Sequence, residues 1–211
     1  MKILFCNIAW MKKYRGVTDH DIPVNGGSYV DETRDAHEAY NFDSVVFDDD
    51  NDKVPYCLGF FETKSTNRES RNQLHIEKID KNLDKNIEEI NDVLVVWCAK
   101  ADTNDFTSVI GWYKNATIYR YYQEIEFSSG FIQEYNVMAK QEDCVLLPLN
   151  IRSRKVMWWV PRVAKKNGPS YGFGQANVWF ANEKGNEAKD NYINKIVSQI
   201  YNYDGENYML K

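Results

Sequence analysis

Val93 to Glu126 reads VLVVWCAKADTNDFTSVIGWYKNATIYRYYQEIE. It holds three β-branched and aromatic runs, VLVVWCA, FTSVIGWY and ATIYRYYQEI, which are divided by the polar turn KADTND and by Lys114-Asn115. In the second run Phe106, Ser108, Ile110 and Trp112 share one face. The spacing predicts three consecutive strands in an antiparallel meander. Gly111 permits a bulge or a close backbone approach there, and so turns Trp112 out of the regular sheet surface.

Working outward, short apolar runs predict further strands at Lys2 to Trp10, Ser44 to Phe47, Tyr56 to Phe61, Leu74 to Ile79, Tyr135 to Lys140 and Cys144 to Leu147. KVMWWVPR, Lys155 to Arg162, reads as a strand ended by Pro161, and Asn177 to Ala181 as one more strand or the start of the last helix. Ile79, Leu83, Ile87 and Ile90 recur at helical spacing, as do Tyr192, Ile193, Ile196, Val197 and Ile200. The fold class expected is therefore α+β, a curved, mainly antiparallel sheet or β-barrel with two main flanking helices. Residues 1–202 form one domain with irregular insertions near 16–52 and 62–73, and 203–211 form a tail or linker.

The 211 residues carry a formal charge of -5, so nucleic acid, if bound, is bound at a patch and not by a general positive coat. Such a patch is visible. From Cys144 to Asn182 the chain has Arg152, Arg154, Lys155, Arg162, Lys165 and Lys166 and no acid, interleaved with Trp158, Trp159, Tyr171, Phe173, Trp179 and Phe180. Cations alternating with flat aromatic faces suit a partner that is anionic and stackable. An ordinary hydrophobic strand pair with solvated lysines is the plainer reading of the same text.

Cys6, Cys57, Cys98 and Cys144 are far apart in apolar surroundings, the pattern of reduced core thiols. No apolar run approaches the ~18 residues of a membrane span, which points to a cytoplasmic protein with no membrane partner. The loop KKNGPSYGFGQ lacks the GKS or GKT ending of a phosphate loop. His37-Glu38 is half of a metalloprotease motif with no second histidine at the required spacing, and no motif asks for a cofactor or a metal. FDDDNDKVPYCLGFFETK offers an alternative, a PD-(D/E)xK-like nuclease using Asp48, Asp49, Asp50, Glu62 and Lys64, with the carboxylates on a divalent metal and the lysine on the attacking water.

An N-terminal strand ending in Trp10, the central VLVVWCA with SVIGWYKNATIYR, and the later VPR with GFGQANVWFA together resemble bacterial domains of restriction-type defence proteins, found alone or ahead of HNH nuclease modules. More distantly they resemble the PUA-like superfamily with its EVE, ASCH and YTH domains. That resemblance implies a small twisted barrel that accepts a modified or flipped base in an aromatic pocket, with a nuclease partner or fused effector. FETKSTNRES is an insertion relative to that pattern, which weakens the nuclease alternative.

A splayed base is held by stacking and read by hydrogen bonds to its edge. Trp10, Trp112, Tyr113 and Trp158 stand near predicted strand ends, Trp97 reads as core, and Asn7, Asn115, Gln175 and Asn177 supply amide groups. Lys12, Lys13, Arg15, Lys114, Arg162, Lys165 and Lys166 are the candidates for phosphate. The function expected is a non-catalytic domain that binds DNA or RNA, with a protein-interaction module as a further alternative.

Overall fold

The run VLVVWCA is apolar at every position because it is covered on both faces, as strands at the centre of a sheet are. It belongs to β4 (Glu89–Ala99), which pairs in parallel with β1 (Ile3–Asn7) and antiparallel with β5 (Thr107–Glu126). Val93, Val95, Trp97 and Ala99 point into one core together with Leu4 and Cys6, while Leu94, Val96 and Cys98 point into the other with Ile3 and Phe5. The period-two pleat thus divides a uniform run between two cores.

The computed structural model describes residues 1–27, 30, 32, 36–47, 53–63, 72–164, 166 and 168–211. The remaining strands are β2 (Ser44–Val46), β3 (Pro55–Gly59), β6 (Ile132–Lys140), β7 (Cys144–Leu146), β8 (Trp159–Val160) and β9 (Val178–Trp179). They form one mixed, mostly antiparallel sheet in the order β2-β3-β6-β5-β4-β1-β9, with β7 and β8 also pairing with β5. The class is α+β. The path runs from edge to edge without closing, so the structure is an open sheet and not a closed barrel.

Three α-helices are described: α1 (Leu149–Arg152), α2 (Lys155–Trp158) and α3 (Glu187–Tyr201). Only α3 is long. The Asn186 side chain caps it by accepting from the Lys189 N–H, and Tyr192, Ile196 and Ile200 bury one stripe against the second core. Among the described residues no helix is long and apolar enough to cross a membrane.

Several expectations are corrected here. The predicted meander is a two-stranded hairpin, because β5 runs unbroken through Lys114-Asn115. Asn115 takes φ of 49° within the strand, and the register against β4 shifts between Val93 and Val95, so the turn signal marks a bulge. Gly111 is a close approach as expected, since a Cβ there would meet the Val145 carbonyl oxygen and Phe42. Trp112, however, turns inward.

No helix covers Ile79 to Ile90. A 3-10 turn at Ile76–Lys78 takes the place of the strand expected around His75, and Ile90 already lies in β4. The repeated IDKNLDKN explains it: Asp80 and Asp84 accept from the backbone of Asn82 and Asn86, so each carboxylate closes an Asx turn that competes with the helix. In KVMWWVPR only Trp159 and Val160 reach β5, while the preceding four residues coil back on the Arg154 carbonyl.

The stretch expected as surface excursion contributes to the core as well. Phe42 is buried, and Asn41 is hydrogen-bonded in both directions to the Phe60 backbone. Residues 203–211 are not a free tail, for Met209 is buried in the first core. The Asn207 amide accepts from Leu146 N–H and donates to the Cys144 carbonyl, filling the ladder positions beside β7.

Candidate functional site

Where β1 and β9 meet, Asn7 N–H donates to the Asn177 carbonyl at 2.7 Å, and the chain after β1 continues with Ile8 N–H on the Cys98 carbonyl. This corner opens a cleft of two chambers, about 530 and 630 Å³, that share Asn7, Asn25 and Gly27. Each lies in the size range of small-ligand sites.

The first chamber is rich in carboxyl and amide groups. Its delivery is built into the sheet edge. Buried Asn41 and Asn136 clamp the backbones of Phe60 and Phe61, and the Tyr122 hydroxyl accepts from Thr63 N–H at 2.7 Å, so Glu62 between them is directed to the cleft. There it accepts from Asn177 Nδ2 at 3.3 Å. Glu38 follows the turn at His37, and one of its oxygens accepts from the Ala9 N–H at 2.9 Å. Burial pushes its carboxyl above the ordinary range, against the pull of the Ala9 and its own backbone N–H. His37 lies 3.4 Å from Glu134 and packs its ring on Phe60, with centroids 5.0 Å apart.

The second chamber carries the cations Lys100, Lys155 and Arg162, with Asp105 as its carboxylate. Lys155 pairs with Asp105 at 3.1 Å. Arg162 donates through Nε to Thr107 and through Nη2 to Asn7 Oδ1, each at 3.0 Å. This bond fixes the Asn7 amide with its oxygen toward the guanidinium, which leaves Nδ2 as a donor without a partner among the described residues. The loop carrying Arg162 is pinned at its base. Val163 N–H donates to Phe173 and Phe173 N–H to Pro161, and Gly172, at φ of 113°, passes so close to the Pro161 carbonyl that a side chain has no room.

Of the sequence-predicted residues, Asn7, Asn177, Arg162 and, from the nuclease alternative, Glu62 come together in this cleft. Trp112, Tyr113 and Trp97 have no exposed surface and Trp158 is 1% exposed, so none of the four presents a stacking face to a base. Trp112 stacks on Trp158 with centroids 5.8 Å apart, and Tyr203 meets it edge-on, an aromatic cluster inside the second core. Trp10 packs under the Arg152 guanidinium.

Lys12 donates to the His20 carbonyl, Lys13 lies over Tyr208, Lys114 lies over Tyr201, and Asn115 donates to Asp143; neither these four nor Arg15 lines the cleft. Gln175 and Lys166 are exposed. Lys165, Lys64 and Asp48, Asp49 and Asp50 lie outside the described residues. Among the described residues no group of three His, Cys, Asp or Glu side chains is placed to hold a metal ion.

Sequence reasoning missed Asn25, Glu38, Lys100 and Glu134. The available signals were the turn Asn25-Gly26-Gly27 and the pair His37-Glu38, which matter here through position and not through a metal motif. Arg152, one cation of the acid-free stretch, is fully buried and gives its hydrogen bonds to the carbonyls of Leu147, Met11 and Lys12. Burial lowers its pKa to about 10.

Comparison of the chain with protein-family models, with curated proteins and with solved structures finds no match in any of the three.

Proposed function

We propose that this protein binds nucleic acid non-catalytically by taking one splayed nucleotide into the cleft. The base edge faces Asn7, Asn177 and Glu38, and the phosphate faces Arg162, Lys155 and Lys100. The observation that carries the reading is the Arg162–Asn7 hydrogen bond at the junction of the two chambers. It couples a guanidinium, which suits phosphate, to an amide whose free N–H is oriented for hydrogen bonding to a base.

The carboxyl-lined chamber favours bases that present an exocyclic amino group, since carboxylates accept from such donors. Glu38, held by the Ala9 N–H, and Glu62 stand among those acceptors. A modified base in a pocket of this kind agrees with what the PUA-like resemblance implies. The stacking surface is then Tyr122 in the first chamber and Trp159 in the second, in place of the tryptophans of the core.

The test is a fluorescence-anisotropy panel of labelled single-stranded and duplex DNA and RNA with and without modified bases, measured across a salt series. Affinity is expected to fall steeply with salt, by a log–log slope of about -0.7 per phosphate neutralised on a single strand. Lys100→Ala weakens all sequences alike, and Asn177→Ala removes the preference among bases. Absence of binding to every oligonucleotide at low salt rejects the reading.

A further inference from the structure

The ladder between β1 and β9 ends in a pair of asparagines. Phe5 faces Trp179 and Cys6 faces Val178, so the next opposed residues are Asn7 and Asn177, joined by the 2.7 Å backbone bond at the corner of the cleft. Directly opposed residues on antiparallel strands carry their side chains on one face, with Cβ atoms about 4.5–5.5 Å apart. Both asparagines line the carboxyl-rich chamber, and Glu62 lines it with them.

Each amide is oriented by a charged group that permits one arrangement. The Arg162 guanidinium can only donate, so Asn7 turns Oδ1 to it and leaves Nδ2 unpaired among the described residues. The Glu62 carboxylate can only accept, so Asn177 turns Nδ2 to its Oε2 at 3.3 Å and leaves Oδ1 unpaired in the same way. Glu62 Oε1 also accepts no hydrogen bond among the described residues. Residues far apart in sequence thus form one row, Arg162, Asn7, Asn177, Glu62, whose unused groups read donor, acceptor, acceptor.

A ligand edge complementary to that row reads acceptor, donor, donor. Guanine carries it on its Watson–Crick edge, as O6, N1–H and the 2-amino group. No other common base fills all three positions. Adenine and cytosine each set one acceptor beside one amino group, while thymine and uracil bring a second carbonyl against Glu62. The described lining of this chamber contains no lysine or arginine, so a misplaced carbonyl finds no cation there and is left unsatisfied. Base pairing uses the same edge, so a guanine read in this way is unpaired.

Resting on the cleft reading above, we infer that the base taken into the cleft is an unpaired guanine held by its Watson–Crick edge. O6 accepts from Asn7 Nδ2, N1–H donates to Asn177 Oδ1, and the 2-amino group donates to Glu62. Arg162 and Glu62 then act as positioning residues for the two amides, besides whatever contact each makes with the ligand. A guanine nucleotide free in solution and a guanine in a strand present the same edge.

The probes are labelled oligothymidylates with one central guanine, hypoxanthine, O6-methylguanine, adenine or cytosine, titrated by fluorescence anisotropy at low salt. Hypoxanthine lacks only the 2-amino group, and O6-methylguanine lacks N1–H. The guanine strand is expected to bind about tenfold tighter than each of the others, and Glu62→Gln is expected to bring guanine and hypoxanthine within about twofold. Unlabelled GMP competing with the guanine strand separates the two sources of the edge: displacement at the strand's own affinity assigns it to the free nucleotide, and weaker displacement assigns it to a strand. Salt-dependent binding in which guanine has no advantage over hypoxanthine, or an advantage that Glu62→Gln leaves intact, overturns this inference while the cleft reading stands. Failure of every strand and of GMP to bind overturns the cleft reading and this inference with it.

Discussion

Arg162 Nη2 and Asn7 Oδ1 are joined by a 3.0 Å hydrogen bond across 155 residues of sequence. One partner ends β1 and the other follows β8, so the bond ties together the two ends of the chain that enclose the cleft. A neutral amide accepts from the guanidinium here where an ion pair would be the commoner solution. The choice matters because an amide still has a donor to offer, and a carboxylate has none.

Asn7→Asp tests this directly. The carboxylate strengthens the bond to Arg162 through charge and removes the free N–H, while adding a negative charge beside Glu38, Glu62 and Glu134. The folded structure is expected to hold, with an unchanged thermal midpoint, and oligonucleotide affinity is expected to fall at least tenfold. Unchanged affinity would mean that Asn7 does not face the ligand.

Trp112→Ala separates core from contact surface. Trp112 has no exposed surface and is sandwiched with Trp158 and Tyr203. Truncation leaves a cavity and costs about 3–5 kcal/mol of stability, with loss of binding only in proportion to unfolding. Denaturant melts provide the measure. A variant of unchanged stability that has lost base preference would return Trp112 to the site.

Much of the sheet was legible because its determinants are local. Alternation and β-branching mark β4, β5 and β6 wherever each strand is partnered, and the apolar stripe of α3 repeats regularly with Asn186 ahead of it. What was not legible depends on long-range contacts. Asn41 and Asn136 look like loop or surface residues, yet they satisfy the backbone of Phe60 and Phe61 from inside the core. The turn composition of Lys114-Asn115 is a bulge because β4 continues alongside it. Tryptophans near strand ends read equally well as pocket walls or as core, and only the position of α3 and Tyr203 decides for Trp112 and Trp158. The cleft itself is assembled from the end of β1, the turn at Asn25, the His37 turn and the segment after β3, which no sequence spacing connects.

Glu38→Gln has a signed effect on stability. Burial raises the Glu38 pKa in the folded protein above its ordinary 4.5, so the folded state retains a proton to higher pH than the unfolded chain does. Unfolding then releases a proton, and stability declines as pH rises from 4.5 through the folded value, with no contribution below that window. The glutamine keeps the acceptor for Ala9 N–H and cannot titrate. The wild-type protein is expected to lose stability relative to Glu38→Gln across the window, measured by urea melts at successive pH values. A constant difference between the two would show that Glu38 does not titrate abnormally.

The carboxyl-terminal segment depends on a single side chain. Asn207 accepts from Leu146 N–H at 3.0 Å and Met209 N–H at 3.1 Å, and donates to the Cys144 carbonyl at 2.8 Å. These bonds hold Met209 over the first core, where its sulfur lies 3.6 Å from the Cys57 thiol. Asn207→Ala leaves a strand N–H and a strand carbonyl without partners, each at about 1–3 kcal/mol when shielded from water. The segment 203–211 is therefore expected to open at denaturant concentrations below the main transition. Thiol labelling reads the opening: all four cysteines are buried, so the wild-type protein labels slowly, and Cys57 and Cys144 are expected to label faster in Asn207→Ala while Cys6 and Cys98 keep the wild-type rate. Uniform acceleration at all four would instead signal global destabilisation, and an unchanged rate would show that the segment is held by Met209 packing alone.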